Sequence, residues 1–379
     1  MWVPAGRVRR APTHPLSATV TTTATAANAR PSLRRALGAV VPSGWAGVVI
    51  RRLLLLPLTL LFVATLTFVI TRVVGGNPAV KLAGAQPSIE AIRNIEHQLG
   101  LDVSIGAQYV HYLGGLAHGD LGRSYFTHQD VVSEILNRAP GTIELVVLGA
   151  LIAALIGIGL GMAAARRARR PFDQAAQGLS ILAFATPDFF LGAVLAFFLF
   201  FKFGWFPAPA GQLPFSYAPP TPHTHFLIID TAVNGQWDAF GAHLQQLALP
   251  ALTLGLIYFA PIFKITRASL LEILRSDFLL YAEACGLRRS IERRYAFRHA
   301  MMLVSTYVGI ITAALIGGAV LVEQVYSWGG LGTYGVGAIQ NNDFPAVQGF
   351  VVAVGTISVV VYFAVDILYA VIDPRVRLG

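Results

Sequence analysis

Charge is scarce in this chain: 12% of its residues are Asp, Glu, Lys or Arg, where a soluble domain carries about 25%. With 55% apolar residues and a mean hydropathy of +0.62, too little polar surface remains to meet water on every side. Lipid must therefore solvate much of it. Cysteine is reduced to Cys285 alone, which excludes an internal disulfide and any cysteine-built metal site. Lysine is reduced to Lys81, Lys202 and Lys264, and none follows a glycine. A phosphate-cradling loop needs G-x-x-x-x-G-K-[ST], so nucleotide hydrolysis by that route is excluded. There is no H-E-x-x-H zinc helix and no G-x-S-x-G nucleophile elbow. The nine histidines are scattered; His223 and His225 share a polar loop and read as solvated, with weak metal binding as the alternative. Neither a metal site nor a catalytic centre is expected.

What is present is organised as long apolar runs. Six fall near 48–74, 140–165, 174–203, 247–268, 301–324 and 346–371, each long enough to span a bilayer as a helix. Pro57, Pro187, Pro250 and Pro261 lie inside them, and such kinks are tolerated where neighbours satisfy the freed carbonyls. The small residues of GIGLG (157–161) and Gly317–Gly318 either permit close helix contact or mark merely loose packing.

The net charge of +9 first raises nucleic-acid binding. The positions of the charges exclude it. Of the 28 Lys and Arg residues, 22 lie in the segment up to Arg52, in RRARR (166–170), between Lys264 and Arg298, and at Arg375 and Arg377. The opposite loops 204–243 and 325–345 have none. The positive-inside rule then places both termini in the cytoplasm, as an even number of spans requires. RRARR would hold topology and touch anionic lipid.

Four regions follow. Residues 1–45, rich in Ala, Thr, Pro and Arg without apolar period, read as a disordered cytoplasmic tail; a cleaved signal peptide fits poorly. Residues 46–139 hold the first span and an extracytoplasmic helical segment. Ser88 caps a helix with Ile89, Ile92, Ile95 and Leu99 on one face and Gly100 at its end. Further helices are expected over Ile105–Leu116 and Asp130–Asn137. Residues 140–371 form the main transmembrane domain, and 372–379 a cytoplasmic C-terminus. Loop 204–243, rich in proline and aromatics, either receives a partner or simply caps the helices.

Ionisable groups in or near spans are candidate functional residues. Asp188, after Pro187 in the third run, would line a cavity and attract a cationic group, or else hydrogen-bond to a neighbouring helix. Glu144 is a second pathway candidate, although it, Glu323 and Asp366 lie nearer span ends, where packing roles are expected.

Residues 270–298 are charged and strongly helical in composition. Leu270, Leu271, Leu274, Phe278 and Tyr281 give an apolar stripe at helical spacing, and Gly286 breaks the run. A helix–Gly–helix element of this kind suits a lever docking in a groove of a soluble motor. It equally suits an amphipathic helix resting on headgroups.

This segment resembles the coupling region of bacterial ABC importer permeases, written EAA, three residues, then Gly. Gly286 matches the glycine and Ala282 the second alanine; Leu280 and Tyr281 replace the glutamate and first alanine. The peptide-importer form D-Y-x-R-T-A-R-A-K-G-L is closer, with Asp277, Ala282, Ala284, Gly286 and Leu287 in register. Glu283 and Cys285 stand where that form has basic residues. The resemblance covers residues 48–379. It includes LGLD (99–102), GDLGRS (119–124), LPALTLGL (249–256), GGAVLVEQVYSWGGLG (317–332), NNDFPAVQG (341–349) and VDILYAVIDPRVR (365–377). Within the family the chain is similar to the first of two permeases of dipeptide and oligopeptide importers, actinobacterial ones especially.

The resemblance implies an all-α integral membrane fold: a six-span type I importer domain with a helical extracytoplasmic segment after the first span. It implies a multi-pass protein of the bacterial plasma membrane that pairs with a homologous second permease. Two ATP-binding subunits would dock below the pair, with residues 270–298 of this chain in an ATPase groove and the contact at Asp277, Tyr281, Ala282, Glu283, Ala284, Cys285, Gly286 and Leu287. ATP and Mg would be bound by those subunits, with no cofactor in this chain, and an extracytoplasmic binding protein would deliver substrate. The same architecture carries nickel or haem. From other classes, a secondary transporter would need its own coupling-ion site, and a non-transporting receptor or scaffold would need no ATPase.

Overall fold

Two glycine-lined helices set the centre of the molecule. In the computed structural model, which describes residues 45–73, 75–84 and 87–372, these are α5 (Val131–Arg166) and α9 (Trp237–Leu274). A Cβ at Gly157 would lie 2.8 Å from the Ile262 Cβ, and one at Gly161 would lie 2.7 Å from the Thr266 Cβ. Gly255 returns the contact, since a Cβ there would lie 2.3 Å from Ile152. The small residues of 157–161 are therefore a close-contact seam, except Gly159, which faces open space. Leu145, Leu247, Leu254, Leu315 and Trp328 fill the core above this seam.

The other elements in chain order are α1 (Trp45–Val73), α2 (Pro78–Leu82), α3 (Ile89–Gln98), α4 (Ile105–Ala117), α6 (Pro171–Ala185), α7 (Asp188–Leu195), α8 (Leu227–Val233), α10 (Asp277–Ala284), α11 (Arg289–Val325), α12 (Leu331–Asn341) and α13 (Phe344–Ile372). Five helices are long and apolar enough to cross a membrane, and the bent pair of α6 with α7 makes a sixth crossing if it is one span. The described residues contain no strand.

The three longest helices have 36, 38 and 37 residues. At 1.5 Å per residue each is about 55 Å long, against a hydrocarbon core of about 30 Å. Their ends therefore project well past lipid. This corrects several expected boundaries. The span expected at 140–165 and the separate helix at Asp130–Asn137 are one helix. Asp130 is its N-cap, accepting from the Ser133 amide at 2.9 Å, and the helix runs through Pro140 without ending. Likewise the fourth run starts at Trp237 rather than 247, and the fifth at Arg289 rather than 301.

The third run is not a continuous helix. It breaks at Thr186–Pro187 and its halves diverge by 106°. A proline forces the preceding residue out of the helical region, and Thr186 is extended with ψ 127. Its hydroxyl donates to the Leu182 carbonyl at 2.7 Å, which keeps that group satisfied in an apolar setting. Beyond α7 the chain widens into a π turn over Ala196–Lys202.

The segment 75–130 follows its local signals. Ser88 and Ser104 cap α3 and α4, accepting from Ala91 N at 3.1 Å and Ala107 N at 3.3 Å. Gly100 takes φ 63 after α3, as its place past a helix end requires. The expected tail 1–44, the residues 373–379 and the side chain of Asp366 lie outside the described residues.

Candidate functional site

The segment between α9 and α11 folds as a short crossbar. Ser276 is extended, which turns the chain out of α9, and α10 then runs for eight residues. It closes with a full Schellman motif: Leu287 N donates to Ala282 O at 3.1 Å and Gly286 N to Glu283 O at 2.9 Å. That geometry needs a left-handed residue, and Gly286 supplies φ 77.

One face of the crossbar is held and the other is bare. Leu279 is buried in a cluster with Leu270, Ala296 and Ala300, so α10 is clasped between the end of α9 and the start of α11, and Ala282 is buried as well. Phe278 is 57% exposed and Tyr281 72%. Asp277, Glu283, Ala284, Cys285, Gly286 and Leu287 are exposed as well. Arg275, Arg288, Arg289, Arg294 and Arg298 flank this face, all exposed. Of the eight candidate residues, Ala282 alone points inward. The expected single stripe does not form. The turn at Arg275–Ser276 leaves Leu270 buried on α9, while Phe278 and Tyr281 point outward from α10.

Beside the crossbar, Arg267 of α9 grips Asp173 in the first turn of α6 with two bonds, Nε to Oδ1 at 2.6 Å and Nη2 to Oδ2 at 2.7 Å. The Arg169 amide adds a third bond to Asp173 at 2.8 Å. A bidentate pair of this kind fixes both distance and orientation.

Asp188 opens α7 directly after the break, where a helix N-terminus favours a carboxylate. It is half-buried, and Tyr258 Oη of α9 donates to its Oδ2 at 3.2 Å. Gly318 of α11 closes the contact: a Cβ there would lie 2.6 Å from that same oxygen. Asp188 thus marks the junction of α7, α9 and α11.

Glu144 sits in a buried pair. Its Oε1 accepts from the Ile228 amide at 3.0 Å, and its Oε2 lies 2.8 Å from Nε2 of the fully buried His243. His243 Nδ1 lies 2.7 Å from the Gln212 carbonyl. A carbonyl only accepts, so Nδ1 carries a hydrogen, and one further proton lies between Nε2 and the carboxylate. Through this pair α5 and α9 bind the loop 204–236 at two points. Nearby, Glu323 accepts from Thr142 Oγ1 at 2.5 Å and Thr333 N at 3.0 Å, and Trp328 Nε1 donates to Gly141 O at 2.9 Å. Glu323, expected to have a packing role, has one, while His243 and the partners of both residues were missed from sequence. Glu323 stood out as a carboxylate inside an apolar run and His243 lies just ahead of one, but the contacts join residues 99 and 181 positions apart. His223 and His225 are exposed, as expected of solvated side chains.

Nothing in this geometry positions a nucleophile or a reacting pair. It positions helices. Residues 157–378 match the family described as binding-protein-dependent transport system inner membrane component, and residues 46–146 match the N-terminal part of such membrane components. The chain belongs to this family. It is accordingly a multi-pass transport component of the ABC permease type rather than an enzyme, which sets aside a secondary transporter and a receptor. It is 35% identical over 328 residues to the dipeptide transport system permease protein DppB of Alkalihalophilus pseudofirmus, covering 86% of this chain and 98% of that one. It is 36% identical over 331 residues to the di/tripeptide transport system permease protein DppB of Pseudomonas aeruginosa, covering 86% and 97%. To the probable D,D-dipeptide transport system permease protein DdpB of Escherichia coli it is 37% identical over 318 residues, covering 84% and 93%.

Proposed function

We propose that this chain forms half of the passage of an ATP-driven importer of di- and oligopeptides, as the first of two homologous permeases and of actinobacterial type. The observation that carries this reading is the crossbar, an eight-residue helix with a bare aromatic face at the joint of two long helices. Two ATP-binding subunits, which hold ATP and Mg, dock below the permease pair, and one of them grips that face at Asp277, Tyr281, Glu283 and their neighbours through Leu287. An extracytoplasmic binding protein delivers substrate at the other end. The relatives' named substrates are di- and tripeptides, which favours peptide over nickel or haem as cargo.

The crossbar lies on the cytoplasmic side of the bacterial plasma membrane, as do both termini. The concentration of basic residues at 166–170 and 264–298 supports this orientation. Closure of the ATP-binding pair draws the crossbar inward. Because α9 and α11 continue from the crossbar through the membrane as unbroken helices, the displacement reaches the far end. The glycine seam makes α5 follow α9, since packed cores move as units rather than deform. The passage then alternates between inward-open and outward-open. Asp188, at the junction of three moving helices, lines the passage and meets a cationic group such as a peptide amino terminus. Glu144 bounds it by fixing the loop 204–236.

The test is Gly286→Val in the reconstituted transporter. A side chain there meets nothing within 4 Å, so the change acts on the backbone alone, forcing a β-branched residue to positive φ at a cost of about 1–2 kcal/mol. The complex should assemble and hydrolyse ATP, but peptide uptake should be lost and peptide should no longer stimulate hydrolysis. Unchanged uptake would remove the lever role.

A further inference from the structure

A cavity of about 1080 Å³ opens where the first and last spans end, beneath α3 and α4. Phe68 and Arg72 from the end of α1, and Gln348 from the start of α13, form one wall; Gln108 and Tyr112 of α4 form another. Three buried polar atoms of this lining, Arg72 Nε, Gln108 Oε1 and Tyr112 Oη, have no hydrogen-bond partner among the described residues. Buried groups in that state are rare and each needs an explanation; Arg72 Nε and the Tyr112 hydroxyl can donate to an anion, whereas Gln108 Oε1 only accepts and would need a hydroxyl. Arg72 is fixed in place, its guanidinium 5.4 Å from the Phe68 ring and 4.8 Å from the Phe344 ring.

The charge of the lining selects the occupant. Arg72 and Arg123 both face the cavity, against a single carboxylate among the described lining residues. That one, Asp120, already accepts from the Gly122 amide at 2.8 Å. The rest of the lining is mixed, with apolar Leu82, Leu99 and Val103 beside polar Gln98, His111, Ser124 and His128. An anion joined to an apolar body fits such a lining. The cavity also lies level with the ends of two spans, where lipid headgroups sit. On the same helix α4, Ile105 and Val110 are 64% and 70% exposed, an apolar surface suited to the same interface.

We propose that this cavity binds the phosphate head of an anionic membrane lipid. Arg72 and Arg123 act as counter-charges and the Tyr112 hydroxyl as a further donor. Glycerol and the first acyl carbons lie against Leu99 and Val103. The lipid would tie the segment 75–130 to the spans, a role separate from translocation.

Full-length protein, stripped of lipid in detergent, would be offered phosphatidylglycerol or phosphatidylcholine with identical acyl chains. Native mass spectrometry would read the lipid retained. One phosphatidylglycerol per chain should survive gas-phase activation that removes phosphatidylcholine. Arg72→Gln with Arg123→Gln should lower its retention by more than about tenfold. Ala107→Trp, which fills the cavity and leaves both charges, should do the same. Equal retention of the two lipids, or retention unchanged in these variants, would overturn the proposal. So would displacement of the lipid by millimolar inorganic phosphate or dialanine, which would give the anion site to a soluble ligand. Should Arg72→Gln fail to fold, Arg123→Gln and Ala107→Trp carry the test, with the unfolding midpoint of each as the control.

Discussion

The two ends of the helical bundle are held by different kinds of contact. At the end bearing residues 75–130 and 204–236, buried polar groups tie distant segments together: Glu144 to His243, Glu323 to Thr142, and Asp343 to Ser124 at 2.5 Å. Asp343 also accepts from the Tyr125 and Phe126 amides at 3.1 and 3.2 Å. At the other end the Arg267–Asp173 pair joins α9 to α6, but the crossbar α10 itself is held only by the buried Leu279 and Ala282, and its aromatic side chains are bare. Directional bonds between buried groups permit one arrangement. A small apolar clasp permits displacement as a unit. The first kind of end suits a fixed frame and the second a moving joint.

That contrast would break first at Glu144. Replacing it with Ala strands His243 in the interior and should cost about 3–5 kcal/mol. A thermal unfolding midpoint equal to the parent's would show that the frame is not held there. Next comes the seam that joins the ends. Gly161→Val would push a branched side chain into Thr266, whose Cβ lies 2.7 Å from the added Cβ. A loss of about 1–3 kcal/mol is expected, with uptake falling because α5 no longer follows α9.

A smaller effect is expected from acid. Asp230 in α8 lies outside the spans. Burial drives its carboxyl upward, but bonds from the Thr224 amide and hydroxyl, each 2.9 Å, outweigh this and hold it below the usual carboxylate range. A depressed carboxylate stabilises the folded state above its unfolded value of about 3.9 and loses that contribution as pH falls through the folded value. Acidification from pH 7 should therefore loosen the loop 204–236 only at the bottom of the carboxylate range, and Asp230→Asn should flatten this dependence, read as unfolding midpoint against pH. The smallest effect on stability belongs to the crossbar. Phe278→Ala with Tyr281→Ala should change it by under about 0.5 kcal/mol while abolishing capture of the ATP-binding subunits in a pull-down. A large loss of stability would instead make the aromatic face part of the frame.

The legible part of the site was its turn. Gly286, Leu287 and the helix before them are set by bonds within six residues, so spacing alone located the crossbar. The stripe from Leu270 to Tyr281 was misjudged because a single extended residue, Ser276, rotates everything after it. Asp188 was legible as an anomaly, but Tyr258 and Gly318 as its neighbours were not.

The apolar runs by themselves determined a helical membrane protein, because lipid permits only helices or closed barrels and runs of more than about 20 apolar residues are too long for barrel strands. Ser88 and Gly100 likewise determined α3, whose cap is local. Only the tertiary structure decided that Asp130 begins a helix ending at Arg166, and that the third run breaks by 106° at Pro187. It alone brought Glu144 to His243 and Asp173 to Arg267. Those outcomes depend on contacts between residues far apart in the chain, which periodicity and composition do not carry.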